Sequence, residues 1–288
     1  MTGTELKILA LVCMLLDHIW KFIPGMPYFF HWIGRISAPI FIFCCILGFE
    51  NTINKKKYII RVYFFSVFMA GINYMLHINI NFIRTILLTL ICILIIYLLE
   101  TKHKNAKLCL IGFIIWQIIT SIVIIMLILY APITEDFTYL IINILGNILN
   151  LEGGITFIIL GILMYKYRDK KNKLIYSSII LVIIYIGLFN TNLLPNTLSF
   201  IDYYISALHV WFTSSFNMLF GIHPILTPKN MLFDNPQWMM IFSLPFIFKY
   251  NGERGKNLKY LFYVFYPVHI VTLYLIGVDF QAVLTHFF

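Results

Sequence analysis

Charge is scarce in this sequence, and acidic charge most of all. Its 288 residues carry 21 Lys and Arg but only 12 Asp and Glu, where an ordinary water-soluble domain is about 25% charged. With 61% hydrophobic residues, too little polar surface exists to clothe a soluble globule, and a cytosolic enzyme is excluded. The short segments of alternating apolar and polar residues that mark a membrane β-barrel are missing. HExxH, GxSxG and P-loop patterns are missing too, which leaves metalloprotease, α/β-hydrolase and ATPase chemistry without support. Cys13, Cys44, Cys45, Cys92 and Cys109 sit in or beside apolar runs, and their spacing suggests neither a disulfide framework nor a metal site. No small-residue cleavage site follows the first apolar run, so no removable signal peptide is expected.

What the chain has instead is continuous apolar sequence. Ile83 to Leu99, Leu108 to Tyr130 and Leu174 to Leu188 are nearly free of charge and approach or exceed the length that crosses a bilayer core of roughly 30 Å. The pattern predicts an all-α, polytopic transmembrane helical bundle of about ten spans. These are Leu6–Ile23, Gly34–Phe49, Tyr58–His77, Phe82–Leu99, Leu108–Tyr130, Tyr139–Tyr165 with a weak point at Asn150–Gly154, Leu174–Phe189, Phe200–Phe220, Gln237–Phe248 and Tyr260–Ile276. No linker or repeat divides them, so residues 1–288 read as a single integral-membrane domain.

The formal charge of +9 is carried by short clusters between apolar runs. Such clusters are topology signals and anchors for the lipid bilayer rather than a nucleic-acid surface. Those at Lys55, Lys56, Lys57 and Arg61, at Lys102, Lys104 and Lys107, and at Lys166, Arg168, Lys170, Lys171 and Lys173 alternate correctly as cytoplasmic loops of a multi-pass plasma-membrane protein, with the N-terminus cytoplasmic. The basic loop Lys249 to Lys259 joins them only if Phe200–Phe220 or Gln237–Phe248 is re-entrant, or broken near His223-Pro224 and Pro228.

An ionisable side chain near the bilayer centre costs roughly 2.5–3.5 kcal/mol and is a functional candidate by default. Asp17 and His18 lie that deep in the first span. Lys7 and His18 are eleven positions apart, which at about 100° per residue returns to nearly the same azimuth, roughly 16 Å along the axis at 1.5 Å per residue. A cation at the mouth and an imidazole deep inside suit a long ligand with an anionic head and a reactive tail, such as an acyl-coenzyme A thioester. His18 would then be the general base, with Asp17 its electrostatic partner or the organiser of Lys7 and Arg35. The bland alternative has Lys7 snorkelling to the interface and Asp17 and His18 forming a satisfied polar pair.

Three further constellations stand out. In Gly34-Arg35, ahead of Pro39, the guanidinium can clamp a phosphate, pair with Asp17, or anchor the outer interface, while His31 reads as interfacial. In Tyr250-Asn251-Gly252-Glu253-Arg254-Gly255-Lys256, two glycines let backbone approach a ligand and the cations supply charge for phosphates. Asn251, Glu253 and Arg254 are therefore candidates for coenzyme binding, and a generic tight loop is the alternative. In Tyr266-Pro267-Val268-His269, proline frees a carbonyl inside the last span. Tyr266 and His269 become candidates for the coenzyme site, against a plain kinked helix with a core histidine. Asn73, His77 and Asn81 flank a short outer turn that can touch an acceptor or simply face solvent.

Leu6-Lys7-Ile8 through Asp17-His18-Ile19, then Ile33-Gly34-Arg35-Ile36-Ser37-Ala38-Pro39, resembles the TraX family of membrane acetyltransferases, named for the F-pilin acetylase. Asn81-Phe82-Ile83-Arg84-Thr85, Leu151-Glu152-Gly153-Gly154, Gln237 to Pro245, Tyr250 to Gly255 and Lys259 to His269 look like its later blocks, thinning between Thr101 and Asn230. The Lys7 to His18 spacing is also similar to the signature of acyltransferase family 3. The resemblance implies transfer of an acetyl group from acetyl-CoA to an amine, in the parent case the N-terminus of a small membrane-embedded pilin subunit, with no metal. The alternatives are a proton-coupled secondary transporter of a small anionic or peptide substrate, or an O-acyltransferase acting on an envelope glycan or lipid.

Overall fold

A computed structural model of the chain describes residues 1–194, 196, 197, 200, 216–220, 230 and 233–287. Every regular element among them is helical. In chain order these are α1 (Gly3–Phe22), α2 (Phe29–Gly34), α3 (Ser37–Glu50), α4 (Lys55–Leu76), α5 (Phe82–Glu100), α6 (Ala106–Tyr130), α7 (Glu135–Leu145), α8 (Gly154–Tyr167) and α9 (Lys171–Phe189). A 3₁₀ segment (Pro236–Ser243), α10 (Leu244–Ile247) and α11 (Lys259–Phe287) complete the set.

Six helical stretches among the described residues are long and apolar enough to cross a membrane: Phe29–Glu50, Lys55–Leu76, Phe82–Glu100, Ala106–Tyr130, Lys171–Phe189 and Tyr260–Val278. The expected count of about ten is larger for physical reasons. The first helix carries Glu5, Lys7, Asp17 and Lys21 within its 20 residues. The expected span Tyr139–Tyr165 is two helices of 11 and 14 residues, roughly 16 and 21 Å long at 1.5 Å per residue. Gln237–Phe248 is a 3₁₀ segment running into four α-helical residues. Most of Phe200–Phe220, and with it the break expected before Gln237, lies outside the described residues.

The chain divides into two compact units, one holding the described residues of 1–44, 167–193 and 225–288, the other those of 45–166 and 194–224. In the first, α1 runs parallel to α11. Lys7 Nζ stands 5.3 Å from the Phe262 ring centre, the His18 and His269 rings are 4.9 Å apart, and Phe22 meets Tyr274 at 6.2 Å. Gly277 allows the closest approach, because a Cβ there would lie 2.3 Å from the Phe22 carbonyl oxygen.

The start of α1 is seated in the loop that precedes α11. Gly3 N donates to Glu253 O at 2.8 Å and Thr4 N to Arg254 O at 3.0 Å, while Thr4 Oγ1 donates to Lys256 O at 2.6 Å. Thr2 and Glu5 add a capping box, which satisfies further amides of the first turn. The N-terminus and the basic loop therefore lie at the same end of this unit.

In the second unit, the break between α7 and α8 has its backbone satisfied by α6. Trp116 Nε1 donates to Leu145 O at 2.9 Å, Gln117 Nε2 to Gly146 O at 3.0 Å, and Ile148 N to Gln117 Oε1 at 2.8 Å. Unwound backbone at membrane depth is tolerated only where protein supplies such partners. Gly146 turns the chain in the left-handed region at φ 60°, and Leu151 and Ile158 then pack on Leu88.

Candidate active site

Adjacent residues on a helix diverge by about 100°, so Asp17 and His18 serve two different clusters. Asp17 faces α2. Gly34 makes this possible, because a Cβ there would fall 2.3 Å from the Asp17 Cβ. Arg35, the C-cap of α2, places Nη2 at 2.6 Å from both carboxylate oxygens. Its Nη1 donates to Gln237 Oε1 at 3.0 Å, and its Nε to His31 O at 3.4 Å. His31 Nδ1 bonds Asp17 Oδ1 at 2.8 Å, and its ring stacks on Trp20 at 4.1 Å. One carboxylate is thus held by a guanidinium and an imidazole, and the guanidinium is completed by a buried glutamine on the 3₁₀ segment.

His18 faces α11. Its Nδ1 is 2.7 Å from His269 Nε2, and the two ring planes are within 14° of parallel. Both side chains are buried, 4% and 5% exposed. His269 Nδ1 is 2.7 Å from the Phe265 carbonyl oxygen, which only accepts. That bond assigns the proton on His269 to Nδ1 and makes Nε2 the acceptor. Neutral His18 must then donate from Nδ1, leaving Nε2 with its lone pair. The two hydrogen bonds thus fix the tautomer of the neutral pair. Tyr266 stands edge-on to His269 at 5.8 Å.

The expected residues are thus only partly gathered. His18 and His269 meet, and so do Asp17 and Arg35, while Lys7 and the loop of Asn251, Glu253 and Arg254 lie at the opposite end of α1. Arg35 and Lys7 do not come together, which removes Asp17 as an organiser of both. In the loop, Asn251 Nδ2 donates to Glu253 Oε2 at 3.0 Å and Glu253 N to Asn251 Oδ1 at 3.1 Å, a turn whose backbone also binds the start of the chain, with Asn251 N donating to Met1 O at 2.9 Å. Gly255, at φ 74°, brings backbone close to Thr2, since a Cβ there would meet Thr2 Oγ1 at 2.6 Å. Gly255 therefore accommodates the start of α1, whereas a Cβ at Gly252 would meet nothing within 4 Å, and the ionic side chain of Arg254 remains exposed, with Nη2 at 3.3 Å from Asn257 Oδ1.

Sequence reasoning missed His31 and Gln237. His31 and Arg35 are four apart, the spacing that puts two side chains on one helical face, and this was the available signal. Gln237 offered a weaker one, an amide inside an apolar block.

No curated protein and no solved structure matches the chain. A family model described as TraX protein matches residues 2–277, which takes in both clusters, the loop that seats α1 and nearly all of the described helices. The chain belongs to the TraX family.

Proposed function

We propose that this protein is a membrane acetyltransferase that moves an acetyl group from acetyl-CoA to an amine, with His18 as general base. The observation that carries the reading is the fixed tautomer of the buried His18–His269 pair. Amine attack on a thioester needs a proton acceptor of suitable strength near neutral pH, the usual task of histidine. As the N–C bond forms and the C–S bond breaks, the amine proton passes to His18 Nε2 and then to the departing thiolate. The positive charge that His18 carries in between is shared through Nδ1–H with His269 Nε2, which accepts without rearrangement.

Acetyl-CoA supplies an activated acyl group on a long anionic carrier. The end of α1 that holds Lys7, Arg254 and Lys256 suits the phosphates, and His18 lies roughly 16 Å farther along the helix, a separation that fits an extended carrier. Asn251 and Glu253 shape the loop that presents Arg254, and Tyr266 walls the histidine pair. Arg35 acts on Asp17 rather than on the coenzyme. With the donor made in the cytosol, the N-terminus and basic loops face the cytoplasm across the plasma membrane. The amine acceptor is the N-terminus of a small membrane peptide or pilin-like protein.

The test is acetyl transfer by purified protein in nanodiscs to short peptides with a free or a blocked N-terminus, with thiol release read in parallel. Transfer should occur to free amines only, and His18→Ala should lose about 10²- to 10⁴-fold while still binding coenzyme A. Transfer to hydroxyl acceptors at the amine rate, or wild-type turnover in His18→Ala, would overturn the assignment.

A further inference from the structure

The second unit contains a small polar cavity between α4, α5 and α7 and the broken connection that follows α7. Arg84 on α5 lines it and is 2% exposed. Its Nη2 donates to the Asn150 carbonyl oxygen, but Nε and Nη1 are buried with no hydrogen-bond partner among the described residues. A buried donor left unmade costs about 1–3 kcal/mol, more when charged.

Two other walls carry the opposite deficit. Asn73 uses its amide nitrogen on Ile80 O at 2.7 Å, and Asn81 uses its own on Ser66 O at 3.0 Å and Asn143 Oδ1 at 2.6 Å. These bonds settle which end of each amide is the donor, and Oδ1 of both is buried without a partner. Asp136, whose Oδ2 is 2.6 Å from His77 Nδ1, and Glu152 also line the cavity. One cation and two unmet donors therefore face two carboxylates and two unmet acceptors. Asn79 and Tyr74 at the rim are exposed.

We propose that this cavity binds a small zwitterion of the α-amino acid type, its carboxylate on Arg84 and its ammonium on Asn73 and Asn81 beside the acidic wall. A simple anion would satisfy Arg84 and leave the amide oxygens unmet, and a simple amine would do the reverse. The enclosed part is small, about 20 Å³ against at least about 10–15 Å³ for one water, and it opens into about 350 Å³ of unfilled space that is continuous with solvent. It suits the charged end of a compact ligand whose remainder extends toward Asn79. Its lining shares no residue with the histidine pair, and the inference does not depend on acetyl transfer.

Equilibrium binding of radiolabelled glycine to the full chain in nanodiscs tests this, with acetate and methylamine as competitors. Glycine should bind saturably, and each half-ligand should compete at least about tenfold more weakly, as loss of one charged hydrogen-bond set predicts. Arg84→Gln should lose binding, as should Asn79→Trp, which closes the exposed rim without touching the buried side chains. Absence of saturable glycine binding would overturn the proposal. So would acetate competing as well as glycine, or binding that survives in both variants.

Discussion

Arg35 and Arg84 both sit at apolar helices of this protein, and they differ in how many of their donors are met. Arg35 uses all three of its nitrogens, on Asp17, Gln237 and His31. Arg84 uses one, on Asn150, and leaves two buried without hydrogen bonds among the described residues. The first arrangement is closed, so removing either partner strands a charge. The second is open, and its unmet groups are a standing cost that a ligand can relieve. A membrane arginine thus reads as scaffold or as site according to which of its donors remain unmet.

The largest effect should follow from breaking the closed network. Arg35→Met leaves Asp17 without its guanidinium and should destabilise the chain in detergent by about 3 kcal/mol, the lower end for breaking a buried pair, since Arg35 is partly exposed at 23%. The double variant Asp17→Asn with Arg35→Gln should recover part of that loss in thermal unfolding. An Arg35→Met chain as stable as wild type would erase the distinction.

Next comes Gly34→Ala, whose new Cβ cannot stand 2.3 Å from Asp17. Overpacking of this kind costs about 1–3 kcal/mol, and unfolding of the single variant measures it directly. Gly112, around which a Cβ would meet nothing within 4 Å, is the control that should accept Ala without loss. Arg84→Met should lie within about 1 kcal/mol of wild type, because the unmet donors it removes offset the packing and the one bond it loses. A loss as large as that of Arg35→Met would show Arg84 to be structural.

The smallest effect belongs to Lys7, a cation that stands over the face of Phe262 at 5.3 Å. Lys7→Ala should leave stability unchanged and raise the KM for acetyl-CoA by up to about fivefold, the scale of a weakly screened ion contact. An unchanged KM would remove Lys7 from the donor site.

Much of the first unit was legible in the sequence because helical periodicity is local. The eleven-residue step from Lys7 to His18 predicted a shared face, and the structure lays both on α11, against Phe262 and His269 seven residues apart. Asp17 with Arg35 was legible as one option of three, since charge complementarity names partners but not which of several wins. His31 and Gln237 were not legible, because their roles come from contacts between distant segments. The glycines at 252 and 255 looked like ligand-binding backbone, yet the nearest surface to Gly255 is the chain's own Thr2. The expected count of about ten spans exceeds the six helices of crossing length among the described residues in part because hydropathy does not see a backbone break such as Gly146, where φ is 60°.

The most direct test of the histidine assignment is single-turnover acetyl transfer by His18→Gln, His269→Gln and His269→Ala, each loaded with saturating acetyl-CoA in nanodiscs. Glutamine at 269 can still accept from His18 Nδ1 and so keep the lone pair of His18 on Nε2, whereas alanine cannot. The order expected is therefore wild type, His269→Gln, His269→Ala and last His18→Gln, with the final step the largest, about 10²-fold or more. Equal rates for the two 269 variants together with a His18→Gln enzyme near wild type would contradict the account.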